Sequence, residues 1–421
     1  FENLCLKITG LSRESVETFW EDRKKTNGSA DVPEGPDTAP VFDQEKILAF
    51  AEGKPSDAFG DRYRPFDRSR FIARLPRPPY SFITRIIRAD APQWILKPGE
   101  WITAEYEVPE NAWFFRADRS DRIPYAVLLE IALQPCGWLA AWAGSALSSD
   151  SDLRFRNLGG SARVHRPLNL AGRRLTVRSR MTKVSNAADM IIEHFDFEVL
   201  DRNAVVYEGN THFGFFTADA LSHQAGLGND LIPGIDTGPA RESAAPFRIL
   251  PVEAPHLPEE KPGEPIPAGL HMPAKALLMV DTIEQYDPRG GPLSLGYVRG
   301  GKQVDPDEWF FRAHFHQDPV CPGSLGIESF LQLLKWAAME RWPEHRETHR
   351  FELMDVAPHQ WTYRGQITPP NLKVVVEAFI KNIEEGPEPV IIADGLLKVD
   401  GLYMYKMENY GLKLSISSNS K

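Results

Sequence analysis

Two stretches of the chain, 126–142 and 324–336, are apolar nearly all round and each predict one long helix, the pattern of a helix buried on every side. Each is followed by segments rich in β-branched and aromatic residues. In the first case these are 175–183, 190–199, 204–208 and 212–216; in the second they are 373–383, 389–399 and 404–414. Such composition predicts strands. A leading strand is predicted ahead of each helix, at 82–89 and 276–285. One helix wrapped by an antiparallel sheet accounts for each half of the chain. Upstream, Asp43 is placed to cap a short helix over Gln44–Ala51. Residues 219–271, dense in Pro, Gly and acidic residues and without a sustained period, read as an extended linker. Residues 21–42 read as a second loose connector.

The two halves are copies of one unit. The string Trp113-Phe114-Phe115-Arg116-Ala117 recurs as Trp309-Phe310-Phe311-Arg312-Ala313. Each copy, read as a loop, is followed by a Pro (Pro124, Pro322), then by a Glu (Glu130, Glu328) and a Gln (Gln134, Gln332) at matching spacings. A weaker echo links Glu2-Asn3-Leu4-Cys5-Leu6-Lys7-Ile8-Thr9 to Glu408-Asn409-Tyr410-Gly411-Leu412-Lys413-Leu414-Ser415. It suggests that residues 1–10 are the tail of a preceding unit in a longer array, as does the absence of an initiator Met.

Size and charge narrow the classes. A chain of 421 residues suits two or three domains. A net charge of −10 speaks against non-specific nucleic-acid binding. No apolar run reaches the length of a membrane span, so no membrane association is expected. Three cysteines without metal-type spacing argue against both a disulfide framework and a zinc site, and suit a reducing cytoplasm. Against this acidic background stands a run of arginines: Arg62, Arg64, Arg68, Arg70, Arg74 and Arg77. It reads either as a solvated face or as a docking surface for an acidic partner.

The second copy continues as His314-Phe315-His316-Gln317-Asp318-Pro319-Val320-Cys321-Pro322-Gly323-Ser324-Leu325-Gly326-Ile327-Glu328. This resembles the signature H-F-x-x-D-P-V-M-P-G-x-L-G-x-D/E of the β-hydroxydecanoyl-carrier-protein dehydratase family. It departs mainly at Cys321, where Met is usual, an apolar-for-apolar change. The wider arrangement resembles the tandem dehydratase region of polyunsaturated fatty acid synthases, over most of 45–416. The resemblance implies an α+β double hot-dog: a linker and N-terminal extension at 11–76, hot-dog 1 at 77–218, the linker, and hot-dog 2 at 272–416. It also implies that the substrate is a 3-hydroxyacyl thioester on the phosphopantetheine arm of an acyl carrier protein, with no further cofactor and no metal. Neighbouring synthase domains are expected partners, and a homodimer is compatible with the resemblance.

The chemistry fits the residues. Dehydration removes a proton from Cα and hydroxide from Cβ. A neutral imidazole is a suitable base near pH 7, a carboxyl group a suitable acid, and N–H groups at a helix start can stabilise charge on the thioester oxygen. His314 is the expected base and the Gly323 N–H the oxyanion donor. Phe315, Cys321 and Pro322 are expected against the substrate. In the resembled family the two hot-dogs share each site across their interface, which implies that His314 faces Glu130 rather than Glu328. Gln134, one turn beyond Glu130, would orient that carboxyl or contact the hydroxyl.

The first copy has Asp118 in place of His and Tyr125 in place of Gly, so a pseudo-dehydratase is expected there. The resemblance leaves open whether the new double bond is also moved along the chain. Two other readings stay open: a thioesterase on the same fold, and a non-catalytic acyl-binding scaffold.

Overall fold

The computed structural model describes residues 39–187, 190–228, 247–248, 266–354 and 357–417. The expected N-terminal tail, the connector before residue 39 and most of the 219–271 linker lie outside the described residues. Helix α1 spans Gln44–Ala51, and the Asp43 carboxylate accepts a hydrogen bond from the Lys46 N–H at 3.0 Å, as a capping residue should.

The first half contains strands β1 (Arg85–Ala89) and β2 (Ile102–Glu107), helices α2 (Trp113–Asp118) and α3 (Tyr125–Ala143), then β3 (Arg154–Val164), β4 (Arg174–Ala187), β5 (Met190–Asp201) and β6 (Ala204–Phe216). A two-residue strand β7 (Phe247–Arg248) follows. The second half contains β8 (Thr282–Asp287), β9 (Tyr297–Gln303), helices α4 (Trp309–Ala313) and α5 (Gly323–Arg341), then β10 (His349–Met354), β11 (His359–Tyr363), β12 (Lys373–Glu384), β13 (Val390–Val399) and β14 (Leu402–Ile416).

All fourteen strands join one sheet, ordered β1-β2-β4-β5-β6-β3-β11-β14-β13-β12-β9-β8-β7, with β10 also beside β14. The order in each half mirrors the other. The halves meet where β3 pairs antiparallel with β11, Gly160 opposite Trp361. Helix α3 lies in the curl of one half and α5 in the curl of the other, and the two helices touch. This is a double hot-dog. Every residue of α3 except Gly137 and Trp142 is buried, and each such Leu, Ile or Val contributes about 2 kcal/mol by leaving water.

Glycine permits the seam between halves. A Cβ on Gly160 would stand 2.5 Å from Trp361 Cζ2, so only a residue without a side chain lets the indole lie flat against β3. The Trp361 indole N–H then donates to Asn157 Oδ1 at 2.9 Å.

Several expectations need correction. The Trp-Phe-Phe-Arg-Ala strings are short helices rather than loops. The leading strands begin later than their sequence suggests, because the backbone there bonds to glutamine side chains instead of a neighbouring strand. Gln134 accepts from the Phe82 N–H (2.7 Å) and donates to the Tyr80 carbonyl (2.9 Å). Gln332 does the same with Met279 (2.8 Å) and Leu277 (2.9 Å). The segments 204–208 and 212–216 are one strand, β6, and α5 runs five residues past Trp336. Helix α3 is 19 residues long and apolar enough to cross a membrane by composition, contrary to the sequence expectation. The enclosing sheet is what satisfies that apolar surface.

The arginine run is not one solvated face. Arg74 is buried and donates to the carbonyls of Phe50 (2.9 Å) and Gly53 (3.0 Å), while Arg70 donates to Ser149 (3.0 Å) and Ser151 (2.9 Å). Arg74 thus ties the N-terminal extension to itself, and Arg70 fastens it to the body.

Candidate active site

A cavity of about 760 Å³, counting its open mouth, lies on the seam between the halves. It is lined from the first half by Glu130, Gln134, Gly137 and Arg156, and from the second by His314, Phe315, Cys321, Gly323, Ser324 and Tyr363. The structure thus brings His314 and Glu130, 184 positions apart, to one cavity, and puts Glu328 elsewhere.

His314 follows the last turn of α4, and its N–H bonds to the Phe310 carbonyl at 2.8 Å. The Val320 N–H bonds back to the His314 carbonyl at 2.8 Å, closing a tight loop. The imidazole Nδ1 lies 3.1 Å from the Val320 carbonyl oxygen, which can only accept. Nδ1 therefore carries the proton and Nε2 keeps a free lone pair. Burial pushes the ring down to about 3, with the Val320 carbonyl opposing, so the imidazole is neutral near pH 7. Phe315 packs against it, ring centroids 3.6 Å apart.

Glu130 sits on α3 and is fastened by both oxygens. Oε1 accepts from the Ser324 hydroxyl at 2.8 Å, across the seam, and Oε2 accepts from Gln134 at 3.1 Å. Burial raises its carboxyl to about 7 against these two hydrogen bonds. Gln134, with three hydrogen bonds to protein, orients that carboxyl. Ser324 is held in turn by the Tyr80 hydroxyl at 3.0 Å.

Pro322 precedes α5, and Gly323 opens it with an N–H that has no carbonyl acceptor within the helix. Pro322 is buried beside the cavity rather than among its lining residues. Cys321 lines the cavity as a free thiol that burial raises far above its ordinary value. The loop itself is anchored to the other half. Arg156, on β3, makes a bidentate pair with Asp318 (2.7 and 2.9 Å) and also donates to Gln366.

The mirror-related position has a smaller cavity, about 410 Å³ counting its open mouth, lined by Asp118, Tyr125, Glu328 and Lys335. Asp118 and Glu328 lie there with Lys335, whose ammonium is 2.5 Å from Asp118 and 3.5 Å from Glu328. Burial opposes the charge of Lys335, yet the two carboxylates hold it above its ordinary value. Lys335 follows Glu328 by seven residues, as Gly137 follows Glu130. Where the first site has a glycine, the mirror site has a lysine paired with both carboxylates.

Sequence reasoning missed Ser324, Arg156, Tyr363 and Lys335. Ser324 stood at a variable position of the signature, and Arg156 and Tyr363 lie on strands that were not predicted. Lys335 did carry a signal: a charge inside an apolar helix needs a partner. Among the described residues, no three His, Cys, Asp or Glu side chains gather as metal ligands would.

Comparison with known proteins adds the following. The FabA-like domain family matches residues 272–408. A polyunsaturated fatty acid synthase subunit of Thraustochytrium sp. is 29% identical over 392 residues, covering 88% of this chain and 26% of that protein. The chain therefore spans about a quarter of its curated relative's length. Among solved structures, a dehydratase domain of the curacin polyketide synthase is 12% identical with a TM-score of 0.42, covering 80% of this chain and 97% of that one. An oleoyl thioesterase from Lactobacillus plantarum is 10% identical with a TM-score of 0.41, covering 75% and 97%. Residues 272–408, which include His314 and Gly323, thus match the FabA-like domain model, and the chain is similar to part of a polyunsaturated fatty acid synthase.

Proposed function

We propose that this chain dehydrates 3-hydroxyacyl thioesters held on an acyl carrier protein, giving 2-enoyl thioesters and water. The carrying observation is one cavity that holds a neutral imidazole with a free Nε2, a carboxyl raised to about 7, and the start of helix α5. His314 Nε2 takes the Cα proton, and that C–H pair becomes the new C=C bond. The Cβ–O bond breaks, Glu130 gives its proton to the departing oxygen, and water leaves. The Gly323 N–H meets the charge gathering on the thioester oxygen. His314 ends protonated and Glu130 ionised, and proton return resets both.

In this reading the first half is a pseudo-dehydratase that lends Glu130 and offers no second site, since the smaller mirror cavity is lined by no imidazole and its two carboxylates are paired with Lys335. The carrier protein and neighbouring domains of a larger synthase are the partners. The carrier's phosphopantetheine arm is the one prosthetic group required. The free buried thiols of Cys136 and Cys321 suit a reducing cytoplasm.

The test is enoyl formation from carrier-linked 3-hydroxydecanoate. His314→Ala and Glu130→Gln are each expected to lower turnover by roughly 100-fold or more, while folded Glu328→Gln keeps it. Release of free acid in place of enoyl product would turn the reading to a thioesterase. Full turnover in Glu130→Gln with loss in Glu328→Gln would overturn the cross-half assignment.

A further inference from the structure

Tyr363 is the last residue of β11 and is only 4% exposed, yet its hydroxyl has no hydrogen-bond partner among the described residues. It lines the same cavity as His314, Glu130 and Ser324. A buried hydroxyl left unpaired in protein calls for an explanation. The surroundings of Tyr363 are all fixed. Its ring packs on Tyr405, centroids 4.4 Å apart, in a directly paired register. Its other side covers Gly323: a Cβ there would stand 2.7 Å from Tyr363 Cε2 and 3.1 Å from the hydroxyl oxygen. Just beyond, the Ile367 carbonyl accepts from the Cys321 N–H at 2.8 Å, and Gln366 accepts from Arg156, so the strand end is tied to the loop that carries Gly323. The hydroxyl lies beside the first residue of α5, whose N–H has no acceptor within the helix.

We propose that Tyr363 is a catalytic residue, its hydroxyl donating a hydrogen bond to the thioester carbonyl oxygen alongside the Gly323 N–H. The assignment rests on the dehydratase reading above. As the Cα proton departs, negative charge grows on that oxygen, and a hydrogen bond from a fixed donor strengthens with it. The tyrosine keeps its own proton; it stabilises the enolate and transfers nothing. Two donors from different elements, a helix start and a strand end, would define where the carbonyl sits and so aim Cα at His314. The same contact accounts for glycine at position 323, since any side chain would push the ring and its hydroxyl aside.

Tyr363→Phe tests this, because it removes the hydroxyl and keeps the ring. The expected result on carrier-linked 3-hydroxydecanoate is a fall in kcat of roughly 10- to 100-fold, with KM and melting temperature unchanged, since no protein hydrogen bond is lost. A binding arm runs beside it with the pantetheine thioester of decanoic acid and its thioether counterpart, in which CH2 replaces the carbonyl. Wild-type protein should prefer the thioester by roughly 3- to 10-fold and the variant should lose that preference. Wild-type kcat in Tyr363→Phe, or an unchanged thioester preference, would overturn the proposal. If wild-type protein forms no enoyl product, the dehydratase reading falls alone, and the thioester–thioether comparison decides the tyrosine's role by itself.

Discussion

Glu130 and His314 are buried in the same cavity, and burial moves their proton affinities in opposite senses: the carboxyl rises to about 7 and the imidazole falls to about 3. Desolvation disfavours the charged form of each, so the acid stays protonated and the base stays neutral. The pair is therefore ready to act as acid and base in the interval between the two values. The sign of the pH dependence follows. Above about 7 Glu130 loses the proton it must deliver, so kcat/KM should decline on the alkaline side, tenfold per pH unit for a single required proton. Toward pH 3 His314 becomes protonated and the acid limb falls. The residual activity of Glu130→Gln should lack the alkaline limb. A profile that climbs through pH 7 would instead make Glu130 the base.

At the level of elements, α3 and α5 share the Glu and the Gln one turn later but differ seven residues past that Glu, where α3 has Gly137 and α5 has Lys335. Gly137 lines the cavity beside Glu130, whereas Lys335 reaches back to Asp118 and Glu328 at the mirror site. That buried triad is structural. Lys335→Met would leave two buried carboxyls without a cation and should cost about 3–5 kcal/mol in urea unfolding. The triple change Asp118→Leu, Lys335→Met, Glu328→Leu should recover most of that loss. In both variants the folded protein should keep wild-type turnover; loss of turnover in the stable triple variant would give the mirror site a catalytic part.

The same scale explains what the sequence made legible. The central helices and late strands stood out because their apolar surface is continuous. β2, β3 and β9 did not, because they alternate with charged residues, and β3 and β9 carry Gly159-Gly160 and Gly300-Gly301 where neighbours approach closely. His314 and Gly323 lie in one contiguous string, and Glu130 emerged from the duplication. Arg156 gave no such sign: its partner Asp318 is 162 positions away, and only the β3–β11 pairing brings them together.

For the whole molecule, that pairing is what makes a single site out of two halves. Glu130 and Arg156 come from one half, His314, Ser324 and Tyr363 from the other, and the Arg156–Asp318 pair and the Trp361–Asn157 bond both cross the line between them. The seam is tight at Gly160, where an added Cβ would meet the Trp361 ring at 2.5 Å and also the Asn210 carbonyl. The carbonyl belongs to β6, hydrogen-bonded to β3, so neither neighbour can give way without moving a strand. Gly160→Ala should thus cost about 1–3 kcal/mol by overpacking. It should also lower turnover, because parting β3 from β11 separates the halves that hold acid and base. Gly99→Ala supplies the control: nothing lies within 4 Å of its added Cβ, and neither the urea midpoint nor turnover should change. If Gly160→Ala behaved like that control in both measurements, the site would not depend on the seam, and the account of a cavity assembled across it would have to be given up.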